Sequence, residues 1–378
     1  MLHITLNRPY FSTILRTALK AIANVTTIPI LTGIKIEVNA QGMKITSSNT
    51  DISLEIFTVL ENKEANLKVH TMGAIVLNGK FFINVINSLS ENLLTLEVME
   101  NNQVKILSGK AEFFINGLDT KNYPILPNIE NENPIKIPVK LLTQLIKKTV
   151  FAISLQESRP ILTGVHLSLA DNKQLIAIAT DSHRLSHREI KLPEMVENFD
   201  VIVPGKNLKE ISSIFVNEEE IIEIHIHKNQ LVFESENIRY YSRLLIGNYP
   251  ETKQLIPSKF NTILIVRINS FLGAIERASL FSHKGQNNIV KLEITSKKVT
   301  LYSNSPEVGK AKEELEIESI SGEPLTISFN PDYIKDALKA FNDNIVNIQF
   351  VSSIRPFILK QANIKDDFIQ LITPVITR

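Results

Sequence analysis

The stretch VLNGKFFINVINSL, Val76–Leu89, is a short apolar run, a turn and an amphipathic helix. It returns as IVPGKNLKEISSIF at Ile202–Phe215, 126 residues later, and as ISFNPDYIKDALKAF at Ile327–Phe341, one residue short of another period. The tripeptide NYP keeps the same spacing, at Asn122–Pro124 and Asn248–Pro250. Three such periods fill the 378 residues, and a dominant period decides the fold class.

Other segments repeat in step. TTIPILTGIKIEV from Thr26 answers to SRPILTGVHLSLA from Ser158, and more faintly to GQNNIVKLEITS from Gly285. ENNQVKILSGKAEFFINGL and HKNQLVFESENIRYYSRLL are hairpins alternating about a polar turn. Each copy opens on a helix: RPYFSTILRTALKAIA, PVKLLTQLIKKTVFAI and NSFLGAIERASLFS, with Pro9 and Pro138 where a helix start tolerates proline. The pattern predicts an α+β protein of three similar domains, each with two helices packed on antiparallel sheets. The polar, Pro-bearing segments near 128 and 254 set the expected domains at 1–128, 129–253 and 254–378.

Composition narrows the function. Hydrophobic residues make up 43%, enough for a sizeable core. The absence of cysteine excludes disulfides, thiolate zinc sites and a Cys nucleophile, and fits a reducing cytosol. No apolar run is long enough to span a membrane and no signal peptide is evident, so a cytoplasmic protein is expected.

Net charge is only +1, but it is unevenly placed. Six predicted helices (8–24, 79–90, 138–153, 204–215, 270–284 and 330–341) hold 13 basic and 4 acidic residues; the rest of the chain holds 28 and 36. Arg16 and Lys20, Lys206 and Lys209, and Lys335 and Lys339 are three or four apart, each pair on one helix face. One pair is an ordinary solvated face; the bias in all three copies predicts a surface turned to a polyanion, binding phosphates without reading sequence.

Catalytic motifs are wanting. Asp181, Ser182 and His183 in ATDSHRL are the residue types of a serine hydrolase, but consecutive residues cannot form a triad, and no G-x-S-x-G elbow is present. The plain reading is a polar turn after an apolar strand, Leu175–Ala179. GAIVLNGKF has five residues between its glycines and no hydroxyl after Lys80, so it is not a P-loop. Glu223, His225 and His227 share a face of one expected strand, where a solvated surface outweighs a metal site. No metal or cofactor is expected.

In their order and over the whole chain, TTIPILTGIKIEV, RPILTGV, ATDSHRL, GNYPETKQLIP, FNPDYIKDALKAF and the QLITPV tail resemble the bacterial sliding clamps, the beta subunits of DNA polymerase III, particularly those of low-GC Gram-positive bacteria. The resemblance implies a non-catalytic processivity factor: a head-to-tail homodimeric ring of DNA-clamp domains with helices lining a hole for double-stranded DNA. It implies, as partners, the replicative polymerase alpha subunit, the clamp loader, translesion polymerases and mismatch repair proteins. They would dock short peptides in a cleft of Leu162, Thr180, His183, Arg184, Leu185, Pro250, Leu255, Asn330, Tyr333, Ile354, Leu371, Ile372, Thr373, Pro374 and Val375. DNA contacts are implied at Gln156, Arg159 and Lys206. The resemblance adds Lys147, Lys148, Lys335 and Lys339 as candidates lining the hole, and Arg16 and Lys20 are further candidates from the helix faces. Phe113 and Ile115 of one subunit would meet Leu280 and Phe281 of the other. Val25, Gln254, Thr373 and Ile376 depart from the family's usual residues. The competing readings are a protein-binding repeat scaffold that does not encircle DNA and a hydrolase at Ser182 and His183.

Overall fold

The computed structural model describes residues 1–23, 26–127, 133–170, 173–283, 288–361 and 367–376. Val25 and the segment around residue 128 lie outside them. Six α-helices are described: α1 Arg8–Ala18, α2 Gly79–Ser88, α3 Val139–Thr149, α4 Gly205–Ile214, α5 Ile268–Ser282 and α6 Pro331–Lys339. They fall where the period predicts a helix, two to each copy.

The chain forms two compact units, Met1–Lys140 with Glu210–Leu244, and Leu141–Lys209 with Leu245–Arg378. The middle repeat contributes to both.

In the first unit, α1 and α2 pack through Phe11 and Phe82, both fully buried, with ring centroids 5.8 Å apart and edge to face. Burying each ring contributes about 2–3 kcal/mol. Asparagine caps both helices: Asn7 Oδ1 accepts from Tyr10 N and Asn78 Oδ1 from Phe81 N. A five-stranded sheet runs Lys68–Thr71, His3–Asn7, Leu93–Val98, Gln103–Ser108, Ala111–Asn116 in spatial order. The eight-stranded sheet joins two repeats. Its centre is strand Ile52–Val59 beside Ile238–Arg243 from the middle repeat, antiparallel, with Leu54 opposite Tyr240. Tyr123 of the first NYP is buried and donates to the carbonyls of Gly33 and Thr46, each 3.1 Å away.

The second unit repeats the plan. Its nine-stranded sheet pairs strand Arg184–Lys191 of the middle repeat with Phe368–Ile372 of the last, antiparallel, with Leu185 opposite Leu371. A four-stranded sheet ends on Gly309–Leu315. Phe357 packs in the core between Phe329, tilted with centroids 5.7 Å apart, and Phe350, stacked at 5.1 Å. Asn330 caps α6 by accepting from Asp332 N, with Pro331 at its first position.

Glu223, His225 and His227 lie on strand Ile221–His227 as expected, but the face is not solvated at its middle. His225 is buried opposite Val232, its Nε2 3.5 Å from Glu234 and without a hydrogen bond. No group of three metal-binding side chains occurs among the described residues, and no helix among them is long and apolar enough to cross a membrane.

Candidate partner-binding cleft and helix faces

The ATDSHRL stretch is a tight turn. Strand Gln174–Thr180 leads in and Arg184–Lys191 leads out. The Asp181 carboxylate accepts from the backbone N–H groups of His183 and Arg184 at 2.9 and 3.0 Å and from Arg184 Nε at 3.0 Å. Aspartate is suited to this because its short side chain bonds its own backbone two residues on. Ser182 sits at φ 77°, the left-handed region that glycine fills without strain. Its Oγ accepts from Arg159 Nη1 at 3.1 Å. The acid therefore holds the turn rather than the His183 ring, and no triad forms.

Arg184 is the hub. Besides Asp181, it donates through Nη1 to Asp336 Oδ2 at 2.6 Å and through Nη2 to the Phe151 carbonyl at 2.7 Å. Its guanidinium lies 4.7 Å from the Tyr333 ring centroid. The His183 ring stacks on Tyr333 at 6.3 Å. Burial, with Asp181 nearby, pushes the Tyr333 phenol above its ordinary value. A guanidinium bonded through all three nitrogens and covered by the Tyr333 ring fixes the turn that carries it.

Beside this turn opens a cleft of about 520 Å³. Leu162, Thr180, Arg184, Leu185, Pro250, Leu255, Leu371 and Thr373 line it, as the sequence suggested. Its floor is a small core of Ile176, Ile178, Leu185, Ile358 and Leu371. Tyr249 of the second NYP packs against that core and accepts from Thr180 N at 3.1 Å. Leu255 is half exposed at the rim. A cavity walled by leucine and proline with convergent polar groups suits an apolar side chain presented by a partner.

Seven suggested cleft residues do not line this cavity. Ile372 points into the main core, 1% exposed, because neighbours on a strand face opposite ways. Asn330 is spent on the α6 cap, and Pro374 is buried. Ile354 is well exposed but does not line the cavity, and Val375 donates its N–H to the Ser328 carbonyl. His183 and Tyr333 form their stacked pair beside it. Pro160, Ile161, Asn248, Thr252 and Pro356 line the cavity and were missed, although the first three stand in the quoted RPILTGV and NYP segments.

The candidate DNA-contact residues divide by exposure and pairing. Arg16, Lys147, Gln156, Arg159, Lys206 and Lys339 are exposed. Lys20 Nζ instead donates to Ser213, to its carbonyl at 2.8 Å and its Oγ at 2.7 Å. Lys335 pairs with Asp332 at 2.6 Å. Burial raises the Asp332 carboxyl, but hydrogen bonds from Lys335, His283 and Asn288 outweigh it and hold the pKa below the ordinary value. Lys148 must be withdrawn as a DNA contact. It is buried, 6% exposed, with Nζ 4.5 Å from the Phe368 ring centroid. Burial, then the charge of Arg188, pushes its pKa down to about 8. The helix turns 100° between Lys147 and Lys148, so one lysine faces water and the next the core.

At one end of the five-stranded sheet, strand Ala111–Asn116 exposes Phe113 and Phe114, 37% and 50% accessible, while Ile115 is buried. Leu280 on α5 is 68% exposed, and Phe281 is half-buried beside it.

Comparison with known proteins assigns all three repeats to one family. Its models match residues 2–127, 136–251 and 253–376, as the N-terminal, central and C-terminal domains of the DNA polymerase III beta subunit. The beta sliding clamp of Streptococcus pneumoniae is 44% identical over 377 residues, covering 100% of each chain. That of Bacillus subtilis is 43% identical over 363 residues, covering 95% of each. Crystal structures agree: the S. pneumoniae DNA polymerase III beta chain superposes with a TM-score of 0.98 at 44% identity, over 100% of both chains. The B. subtilis sliding clamp superposes at 0.96 and 41% identity, again over 100% of both.

Proposed function

Because the chain belongs to the DNA polymerase III beta-subunit family, the sliding clamps, we propose that two copies close head to tail into a ring around duplex DNA and tether the replicative polymerase by topology rather than by grip. The supporting observation is a join made twice within the chain. The last strand of a hairpin, Ile238–Arg243 or Phe368–Ile372, pairs with the strand that follows an Asx-capped turn or its counterpart, Ile52–Val59 or Arg184–Lys191. The corresponding strands left over are Ala111–Asn116 at the start of the series and Gly309–Leu315 at its end, both at sheet edges. Pairing one copy's leftover strand with the other's repeats the join and removes two exposed edges.

Exposed Leu280 and half-buried Phe281 on α5 lie in the helix that packs against Gly309–Leu315, next to that edge. The exposed Arg16, Lys147, Arg159, Lys206 and Lys339 supply phosphate contacts that allow sliding. The Leu162–Leu185–Leu371 cleft takes linear peptides of the polymerase alpha subunit, clamp loader, translesion polymerases and mismatch repair proteins. The work is cytoplasmic, where the chromosome and replication machinery are. No reaction is catalysed, and Ser182 and His183 serve the turn.

The deciding experiment is retention on DNA of two shapes. The protein is loaded on nicked circular plasmid by a clamp loader, the plasmid is cut, and bound protein is followed through a sizing column. Loss on linearisation alone is expected; equal retention on both forms would refute encirclement.

A further inference from the structure

The period that builds the leucine-walled cleft builds a second one in the first unit. Asn49 there does the work of Asp181: its Oδ1 accepts from the N–H groups of Asp51 and Ile52, both at 2.8 Å. The neighbouring strand continues alike, with Arg243 N donating to the Asp51 carbonyl at 2.9 Å as Thr373 N donates to that of His183 at 2.9 Å. Pro124 of the first NYP and the three residues after it supply another wall. The resulting cavity is about 500 Å³, close to its counterpart.

Its chemistry differs. Where the first cleft is closed by Leu255, Leu371 and Thr373, the second has Lys228 and Arg243 on one side and the Pro124–Pro127 segment on the other. Among the described residues, neither of these two cations has a side-chain hydrogen bond or ion pair. Asp51 is the only acid among the described lining residues. Nearby Glu55 is already engaged by the Tyr241 hydroxyl and Lys44. Ile125 is 96% exposed, an aliphatic side chain held in water at the mouth. Outside the helices the chain is acidic in balance, so two unneutralised cations around an apolar lip run against its own surface trend.

We propose that this second cleft binds a linear peptide that sets carboxylates against Lys228 and Arg243 and lays one aliphatic side chain on Ile125 and Leu126. Charge complementarity chooses the occupant: the cations have no partner among the described residues, and paired carboxylates beside an apolar anchor satisfy both features at once. The idea leans on reading the first cleft as a peptide site, but it is tested separately.

The chain has no cysteine, so a single introduced thiol reports one place. Thr50→Cys carries an environment-sensitive dye at the second cleft, and Glu251→Cys carries it at the first. The full-length protein is titrated with acetyl-Asp-Asp-Leu-Asp-Asp-amide. A saturable change at the Thr50 position is expected, weakened on the order of tenfold or more by Lys228→Glu with Arg243→Glu. Ile125→Ser weakens it as well, and the melting temperature of each variant verifies folding. No saturation at millimolar peptide overturns the proposal. So does equal binding of the lysine version of the peptide, or of oligothymidylate with the same charge dependence. The Glu251 dye, challenged with a polymerase-derived peptide, reports the first cleft independently, so failure of one reading is distinguishable from failure of the other.

Discussion

Strands Ile238–Arg243 and Ala111–Asn116 end equivalent hairpins, and their fates differ. Tyr240 is fully buried between its neighbours, and the Tyr241 hydroxyl bonds Glu55 at 2.9 Å. Phe113 and Phe114 stand three and two residues before the end of their strand, as Tyr240 and Tyr241 do in theirs, and both are exposed. The same hairpin carries aromatic residues in both places; what differs is whether another strand lies alongside. An aromatic pair on an open edge is therefore an unfilled copy of a join that the chain makes elsewhere.

The largest effect comes from attacking the open copy. Phe113→Asp with Leu280→Asp weakens self-association on the order of a thousandfold and yields monomers in sedimentation velocity. A dimer persisting at micromolar concentration would show that the two edges do not meet. The filled join is tested by Tyr241→Phe. Glu55 is 7% exposed and loses its hydroxyl donor, so stability falls by about 1–3 kcal/mol in urea unfolding while the dimer survives.

A smaller pair of effects separates neighbouring lysines. Lys147→Met lowers the slope of log affinity against log salt by about one on linear DNA, and Lys148→Met leaves it unchanged. Lys148 has a pH signature instead. Its folded pKa of about 8 lies below the unfolded value of about 10.4, so the unfolded chain binds more protons between them and stability rises with pH across that window. Lys148→Met is thus stabilising at pH 7, and its advantage shrinks from pH 8 upward; a constant difference in melting temperature would contradict the burial. The smallest effect is that of Ser182→Gly. It relieves a left-handed φ and removes an acceptor from Arg159, leaving stability within about 1 kcal/mol and the cleft intact by peptide titration.

Sequence made the repeat plain because apolar spacing and NYP recur at nearly fixed intervals. It also revealed that ATDSHRL is a turn, since Asp181 and Ser182 are residue types that tolerate and brace one. It did not reveal that Lys148 turns inward. Two lysines in succession look alike in composition, and only the helix phase set by Leu142, Leu145 and Ile146 separates them. Nor did it place Thr252 and Pro356 in the cleft, because that contact closes over about a hundred residues of chain and leaves no local pattern. Ile372 misled for a simpler reason: a tail read as one binding strip alternates between faces.

The two open edges have a further consequence. A contact between unlike ends propagates until accumulated rotation returns the last copy to the first, and the number of copies follows from the angle contributed at each join. A substitution that bends the backbone around Ile52–Val59 or Arg184–Lys191 would leave every edge as sticky as before and change only that angle. Its product would be not dissociated protein but open filaments, visible by electron microscopy, in which each chain is folded and none can be threaded by DNA.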